Sequence, residues 1–176
     1  MSSGSFPLRW SAKPVSLIVL LALVEILAGC GGGGKPEPST QRVSGTGFAF
    51  AAPAGWKVTH APGSAAAVSG DVDRVEVRTF QLVRPYRVSR FGAAARELDS
   101  VIARIAAQLR GHVMQRRTIR VAGRRVRSYL IAYDGKLQQI TFVLDGRQEH
   151  QLLCRRPADG PDGPCRLLLT SFGLSG

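Results

Sequence analysis

The hydrophobic pattern changes period along the chain, and each change predicts a different element. Residues Gly47 to Val58 (GFAFAAPAGWKV) place Phe48 and Phe50 in alternation, then Trp56 and Val58 after a Pro53-Ala54-Gly55 turn, which predicts a short strand pair. Val68 and the run Val72 to Val83 (VDRVEVRTFQLV) continue the β pattern. From Phe91 the apolar positions fall at Ala94, Leu98, Val101, Ile102, Ile105 and Leu109, in steps of three and four that only a helix gathers on one face. Gly111 stands where a C-terminal cap is expected.

Four β-like stretches follow, Val113 to Val121, Arg124 to Tyr133, Leu137 to Leu144 and Arg147 to Arg155. Ala122-Gly123, Asp134-Gly135 and Asp145-Gly146 between them are hairpin signals, because Gly readily takes the positive φ such turns demand. Apolar residues occupy both faces of these strands, so the sheet needs cover on both sides. The long helix can supply one cover and the apolar tail Arg166 to Leu174 (RLLLTSFGL), read as a short helix, the other. The expected class is α+β, an antiparallel sheet with a long helix on one face and a short C-terminal helix on the other.

Ahead of this pattern lies an apolar run, Val15 to Ala28 (VSLIVLLALVEILA), broken only by Ser16 and Glu25 and preceded by Arg9 and Lys13. It is shorter than the roughly 20 residues a spanning helix needs and fits an export signal, whose apolar region is about 7 to 15 residues. Leu27-Ala28-Gly29-Cys30 resembles the lipobox of bacterial lipoproteins, which implies diacylglyceryl attachment at the Cys30 thiol and cleavage before it. An uncleaved anchor or a plain signal peptide with a coincidental cysteine are the alternatives. Gly31 to Thr40 (GGGGKPEPST) offers nothing to bury and reads as a tether. The expected organisation is a signal peptide over residues 1–29, a tether over 30–44 and a single domain over 45–176, held at the extracytoplasmic face of the cell membrane.

Composition sharpens that picture at a few points. The 176 residues carry 24 Lys+Arg against 12 Asp+Glu, a net charge of +12, and all but four of the basic residues are Arg. Such a length excludes a large multidomain enzyme. Of the three cysteines, lipidation of Cys30 leaves Cys154 and Cys165, and an exported setting permits a disulfide between them. The turn-rich stretch Arg155 to Pro164 (RRPADGPDGP) could bring their ends together, with two buried thiols as the alternative.

Six arginines surround the Ala122-Gly123 turn. If those two residues form the loop, Arg120 pairs with Arg125 and Thr118 with Arg127, so period two puts Arg116, Arg120, Arg125 and Arg127 on one face. That patch could hold phosphate or carboxylate groups bidentately, on anionic lipid, a wall polymer or an acidic partner. The competing reading is a solvated, charge-protected edge in an Arg-biased composition. Nucleic acid is not expected, since export removes it and no aromatic residues interleave with these arginines. His60, His112 and His150 are scattered, and no HExxH, GxSxG or phosphate-binding glycine loop is present, so no catalytic residue, metal or cofactor is assigned.

Phe48-Ala49-Phe50 with Pro53-Ala54-Gly55-Trp56, one long helix, a meander with a Val-Ala-Gly turn and the closing Ser171-Phe172 together resemble the PsbP-like fold, in particular small bacterial lipoproteins of the LpqN kind. The resemblance spans Gly45 to Leu174. It implies a binding or assembly module without chemistry of its own, taking an envelope protein or an amphiphilic ligand. No functional residue of that family maps onto this sequence by a sharp motif.

Overall fold

Antiparallel pairing organises residues 39–175, the part of the chain that the computed structural model describes. The signal segment, Cys30 and the tether as far as residue 38 lie outside the described residues. Among these residues no helix is long and apolar enough to cross a membrane. Ten strands form: β1 (Thr40–Gly45), β2 (Phe48–Pro53), β3 (Lys57–Ala61), β4 (Ser64–Ser69), β5 (Asp73–Gln81), β6 (His112–Val121), β7 (Arg124–Tyr133), β8 (Lys136–Asp145), β9 (Gln148–Pro157) and β10 (Gly173–Leu174). Two α-helices accompany them, α1 (Phe91–Gln108) and α2 (Gly163–Ser171), and a single 3-10 turn, Val88–Arg90, leads into α1.

The main sheet has seven strands in the order β3-β4-β5-β9-β8-β7-β6, all neighbours antiparallel. Turn chemistry sets its register. Ala122 and Gly123 take φ 48° and 73°, and Asp134 and Gly135 take 46° and 66°, the doubly positive turns whose twist matches that of paired strands. Once those turns are two residues long, the faces of β7 and β8 follow, and those of β6 as far back as Gln115, where the register against β7 shifts. Tyr129, Ile131, Ile140 and Phe142 point to one face, where Leu98, Ile102 and Ala106 of α1 close over them as a continuous apolar cluster.

Helix α1 ends differently from the pattern's suggestion. The left-handed residue is Arg110, at φ 53°, not Gly111. Gly111 is required for another reason: a Cβ there would collide with the carbonyl oxygen of Ala132, so the chain passes too close to β7 for any side chain.

The opposite face is covered by a second layer. Strands β1, β2 and β10 form a small sheet in the order β1-β2-β10, and with α2 they bury Val43, Phe48, Phe50, Leu168 and Phe172 against Val75, Val77, Val143 and Leu152. Ser171 ties the two parts of this layer, its Oγ accepting from Ala51 N–H at 2.8 Å and donating to the Leu167 carbonyl. Three expectations are corrected here. The strand pair across Pro53-Ala54-Gly55 does not form, because β2 and β3 pair in different sheets. Residues 40–44, assigned to the tether, build β1: only Val43 of that strand is buried, so no periodicity announces it, and β2 holds it through backbone hydrogen bonds. The C-terminal helix starts earlier than Arg166, and Gly173–Leu174 is a strand on β2.

Cys154 of β9 and Cys165 of α2 are joined as a disulfide, Cα to Cα 5.3 Å, and both are buried in this layer. Nearby, His150 is fully buried between Phe48 and Phe172, with ring centroids 6.1 and 5.8 Å away. Its Nδ1 meets Thr79 Oγ1 at 2.9 Å, while Nε2 has no protein partner. Burial lowers its pKa below the ordinary histidine value.

Two outcomes follow from this layer. Replacing both Cys154 and Cys165 with Ala opens a short loop and lowers unfolding stability by about 2 to 3 kcal/mol on the chain-entropy account, measurable as a shift in the urea midpoint. The lowered His150 pKa means that the unfolded chain binds the proton more readily, so stability is complete above the unfolded value of 6.5 and falls as pH drops below it. Urea midpoints at about pH 7.5 and about pH 5 should therefore diverge in the native protein and converge in His150→Phe; equal divergence in both would remove His150 as the cause.

Candidate functional site

The expected register around the Ala122-Gly123 turn is the one observed: Val121 opposes Arg124, Arg120 opposes Arg125, and Thr118 opposes Arg127. Arg116, Arg120, Arg125 and Arg127 do share a face, and it is the α1 face. That placement divides the patch instead of leaving four equivalent charges.

Arg127 is committed to the fold. Its Nη2 donates to Asp99 Oδ1 of α1 at 2.7 Å, and the same oxygen accepts the Tyr129 hydroxyl at 2.7 Å. Burial tends to raise the Asp99 pKa, but these two donors outweigh it and hold the carboxyl below its ordinary value. Burial together with the Asp99 hydrogen bond pushes the Tyr129 phenol up to about 12. The trio pins α1 to β7, leaving Arg127 only 17% exposed and poorly placed for an external anion. Arg116 is exposed and faces no ion-pair partner among the described residues.

Arg120 and Arg125 have a different setting. The Arg125 guanidinium lies 4.2 Å above the Phe91 ring centroid, which orients its fork without neutralising it. Arg120 Nη1 reaches the Gly123 carbonyl at 3.4 Å. Neighbouring Arg124 is paired with Asp145 at 2.8 Å. These side chains form one wall of a groove of about 510 Å³, whose other wall is Tyr86, Val88 and Phe91 and to which Leu144 contributes. Burial raises the Tyr86 pKa, and the charge of Arg125 pulls the other way.

The segment carrying Tyr86 is positioned by main-chain hydrogen bonds. Leu82 N–H donates to the Arg147 carbonyl and Tyr86 N–H to the Gly146 carbonyl, each at 2.7 Å, so the β5–α1 connection lies along the β8–β9 turn. On its far side the same connection bounds a second hollow of about 340 Å³ against α1, with Leu82, Ala94, Leu98 and Val101 inside and Arg84, Arg87 and Arg90 at the rim. Tyr86 and Leu144 line both hollows. Glu97 and Glu149 also border the second one, and Glu149 already accepts from Gln151 Nε2 at 2.7 Å.

Apolar walls with guanidinium groups at the mouth suit a ligand having an anionic head and a hydrocarbon portion. Sequence reasoning found Arg120 and Arg125 but missed Arg84, Tyr86, Arg87 and Arg90. The three-residue spacing of Arg84, Arg87 and Arg90, with no acidic residue from Leu82 to Phe91, was the available signal.

On the other face a depression of about 100 Å³ is lined by Ser128, Gln139 and Arg156 together with Leu130 and Leu137. Ser128 Oγ lies 2.8 Å from Thr141 Oγ1 and accepts from Gln139 Nε2 at 3.0 Å. It is too small for an amphiphile. The histidines do not converge: His60 is on β3 and His112 on β6, the opposite edges of the main sheet, while His150 is in the core. Among the described residues no three His, Cys, Asp or Glu side chains gather as a metal site.

No family model matches this sequence, and no curated protein does. Solved structures are similar in fold. The solution structure of cyanobacterial PsbP (CyanoP) from Synechocystis sp. PCC 6803 superposes with a TM-score of 0.57 at 15% identity, over 85% of this chain and 99% of that one. A crystal structure from Bacteroides thetaiotaomicron gives 0.52 at 12% identity, over 78% of this chain and 48% of the other, so the match spans about half of that protein. The expected α+β architecture with a PsbP-like neighbour is therefore observed.

Proposed function

We propose that this protein is a lipid-anchored module of the cell envelope, held on the extracytoplasmic face through Cys30, that binds without catalysing a reaction. Its lipoprotein character rests on the basic residues, apolar run and Leu27-Ala28-Gly29-Cys30 of the N-terminus. The observation that carries the binding reading is the 510 Å³ groove, where Arg120 and Arg125 stand beside Tyr86, Phe91 and Leu144. An anionic head accepts from the guanidinium groups while an acyl or similar chain lies on the apolar walls. His60 and His112 lie at opposite edges of the main sheet, and His150, although beside the Thr79 hydroxyl, is fully buried in the core, which favours a binding role.

A second reading has its own observation. Arg116 and Arg117 are exposed on edge strand β6, outside the groove, and could attract an anionic lipid surface or wall polymer by charge alone. Salt and chain length separate the two readings. Attraction between exposed charges is screened over about 8 Å at physiological ionic strength, whereas hydrocarbon burial is not weakened by salt.

Titration with lysophosphatidylglycerol below its micelle concentration should show binding that strengthens with acyl length, with lysophosphatidylcholine much weaker. Replacing Arg120 and Arg125 with Ser should weaken the anionic ligand about tenfold or more. Affinity independent of acyl length and abolished by salt would favour the purely electrostatic reading. For the anchor, Cys30→Ser should leave the chain unprocessed or release it from membranes on fractionation, and a membrane-bound, normally cleaved variant would remove the lipidation assignment.

A further inference from the structure

Exposed large apolar side chains are few among the described residues, and they are not scattered. Phe80 is 45% exposed, Val83 91% and Val88 78%, so three of the four such residues lie within one stretch of nine; the fourth is Met114. Exposed hydrophobics taken singly need no explanation, but this concentration does. That stretch and the two residues after it carry Arg84, Arg87 and Arg90, all exposed, none in an ion pair among the described residues. From Leu82 to Phe91 there is no acidic residue. The stretch is not loose chain, because the Leu82 and Tyr86 N–H groups are bonded to the β8–β9 turn at 2.7 Å. That turn adds Arg147, itself exposed.

We infer that residues 80–90 dock the domain onto an anionic bilayer. Val83 and Val88 enter the boundary between headgroups and acyl chains, and Arg84, Arg87, Arg90 and Arg147 engage lipid phosphates. Protruding valines alternating with guanidinium groups match that interface, where apolar side chains leave water while long cationic ones reach back to the headgroups. Charge complementarity selects an anionic lipid surface over a neutral one. Docking in this way sets Val88 and Tyr86, which also border the 510 Å³ groove, against the lipid. The inference does not depend on what fills the groove.

The test uses the full chain carrying Cys30→Ser, so that a single introduced cysteine is the reactive thiol beside the Cys154–Cys165 disulfide. An environment-sensitive fluorophore is placed at Val83→Cys, at Val88→Cys, or at Asp159→Cys. Asp159 is exposed near the β7–β8 turn, at the other end of the strands. The chain is bound to vesicles of phosphatidylcholine, with or without phosphatidylglycerol, containing lipids brominated high on the acyl chain.

Positions 83 and 88 should shift to the blue and be quenched in anionic vesicles, with position 159 unaffected. Each of Arg84→Ser, Arg87→Ser and Arg90→Ser should lower the inserted fraction about fivefold at low salt. Positions 83 and 88 remaining as unquenched as 159 would overturn the inference, and so would equal quenching in neutral vesicles. Burial of 83 and 88 only on adding an envelope protein would assign the stretch to a protein partner instead. Because lysolipid binding is read without vesicles through Arg120 and Arg125, failure of either result leaves the other interpretable.

Discussion

Strands β7 and β8 carry apolar side chains on both faces, and the main sheet keeps both from water by two unlike covers. On one side α1 lays Leu98, Ile102 and Ala106 over Tyr129, Ile131, Ile140 and Phe142. On the other, a three-stranded sheet and α2 enclose Phe48, Phe50 and Phe172 with the inner residues of β5, β8 and β9. Everything else about the molecule's surface depends on where these covers stop. The long helix is reached from β5 by the 82–90 connection, and the space between that connection, the helix and the sheet end becomes the groove.

Arginine serves three separate ends on the α1 face. Arg127 is nearly withdrawn from solvent, its Nη2 paired with the Asp99 carboxylate that also accepts the Tyr129 hydroxyl, while its Nε is buried without a partner. Arg74 and Arg78 enclose the buried Glu76 carboxylate, whose pKa falls because their hydrogen bonds and charges outweigh the opposing effect of burial. Arg120 and Arg125, by contrast, keep their charge facing an opening. A basic composition alone makes these cases indistinguishable; partners separate them.

Much of the architecture was legible from local pattern. The helix from Phe91 and the hairpin register at Ala122-Gly123 came from spacing and turn chemistry, which neighbouring residues carry between them. The pairing of Cys154 with Cys165 was reachable from the turn-rich stretch that separates them. Strand β1 was not legible, because one buried valine in six residues makes no period and its partner β2 supplies the hydrogen bonds. The pairing of β2 away from β3 was equally hidden, since Pro53-Ala54-Gly55 marks a turn without saying whether the chain leaves the sheet.

By itself the sequence determined the long helix and the four-strand meander that follows it, the face on which each arginine of the β6–β7 hairpin lies, and the N-terminal signature that motivates the anchor. Only the tertiary structure decided which of those arginines face a partner and which face an opening. Residues 82–91, 120–125 and 144–149 meet because β5 pairs with β9 in a register that sets Gln81 opposite Gln148. That pairing joins segments some seventy residues apart, and no local period or turn signal specifies contacts over such a distance.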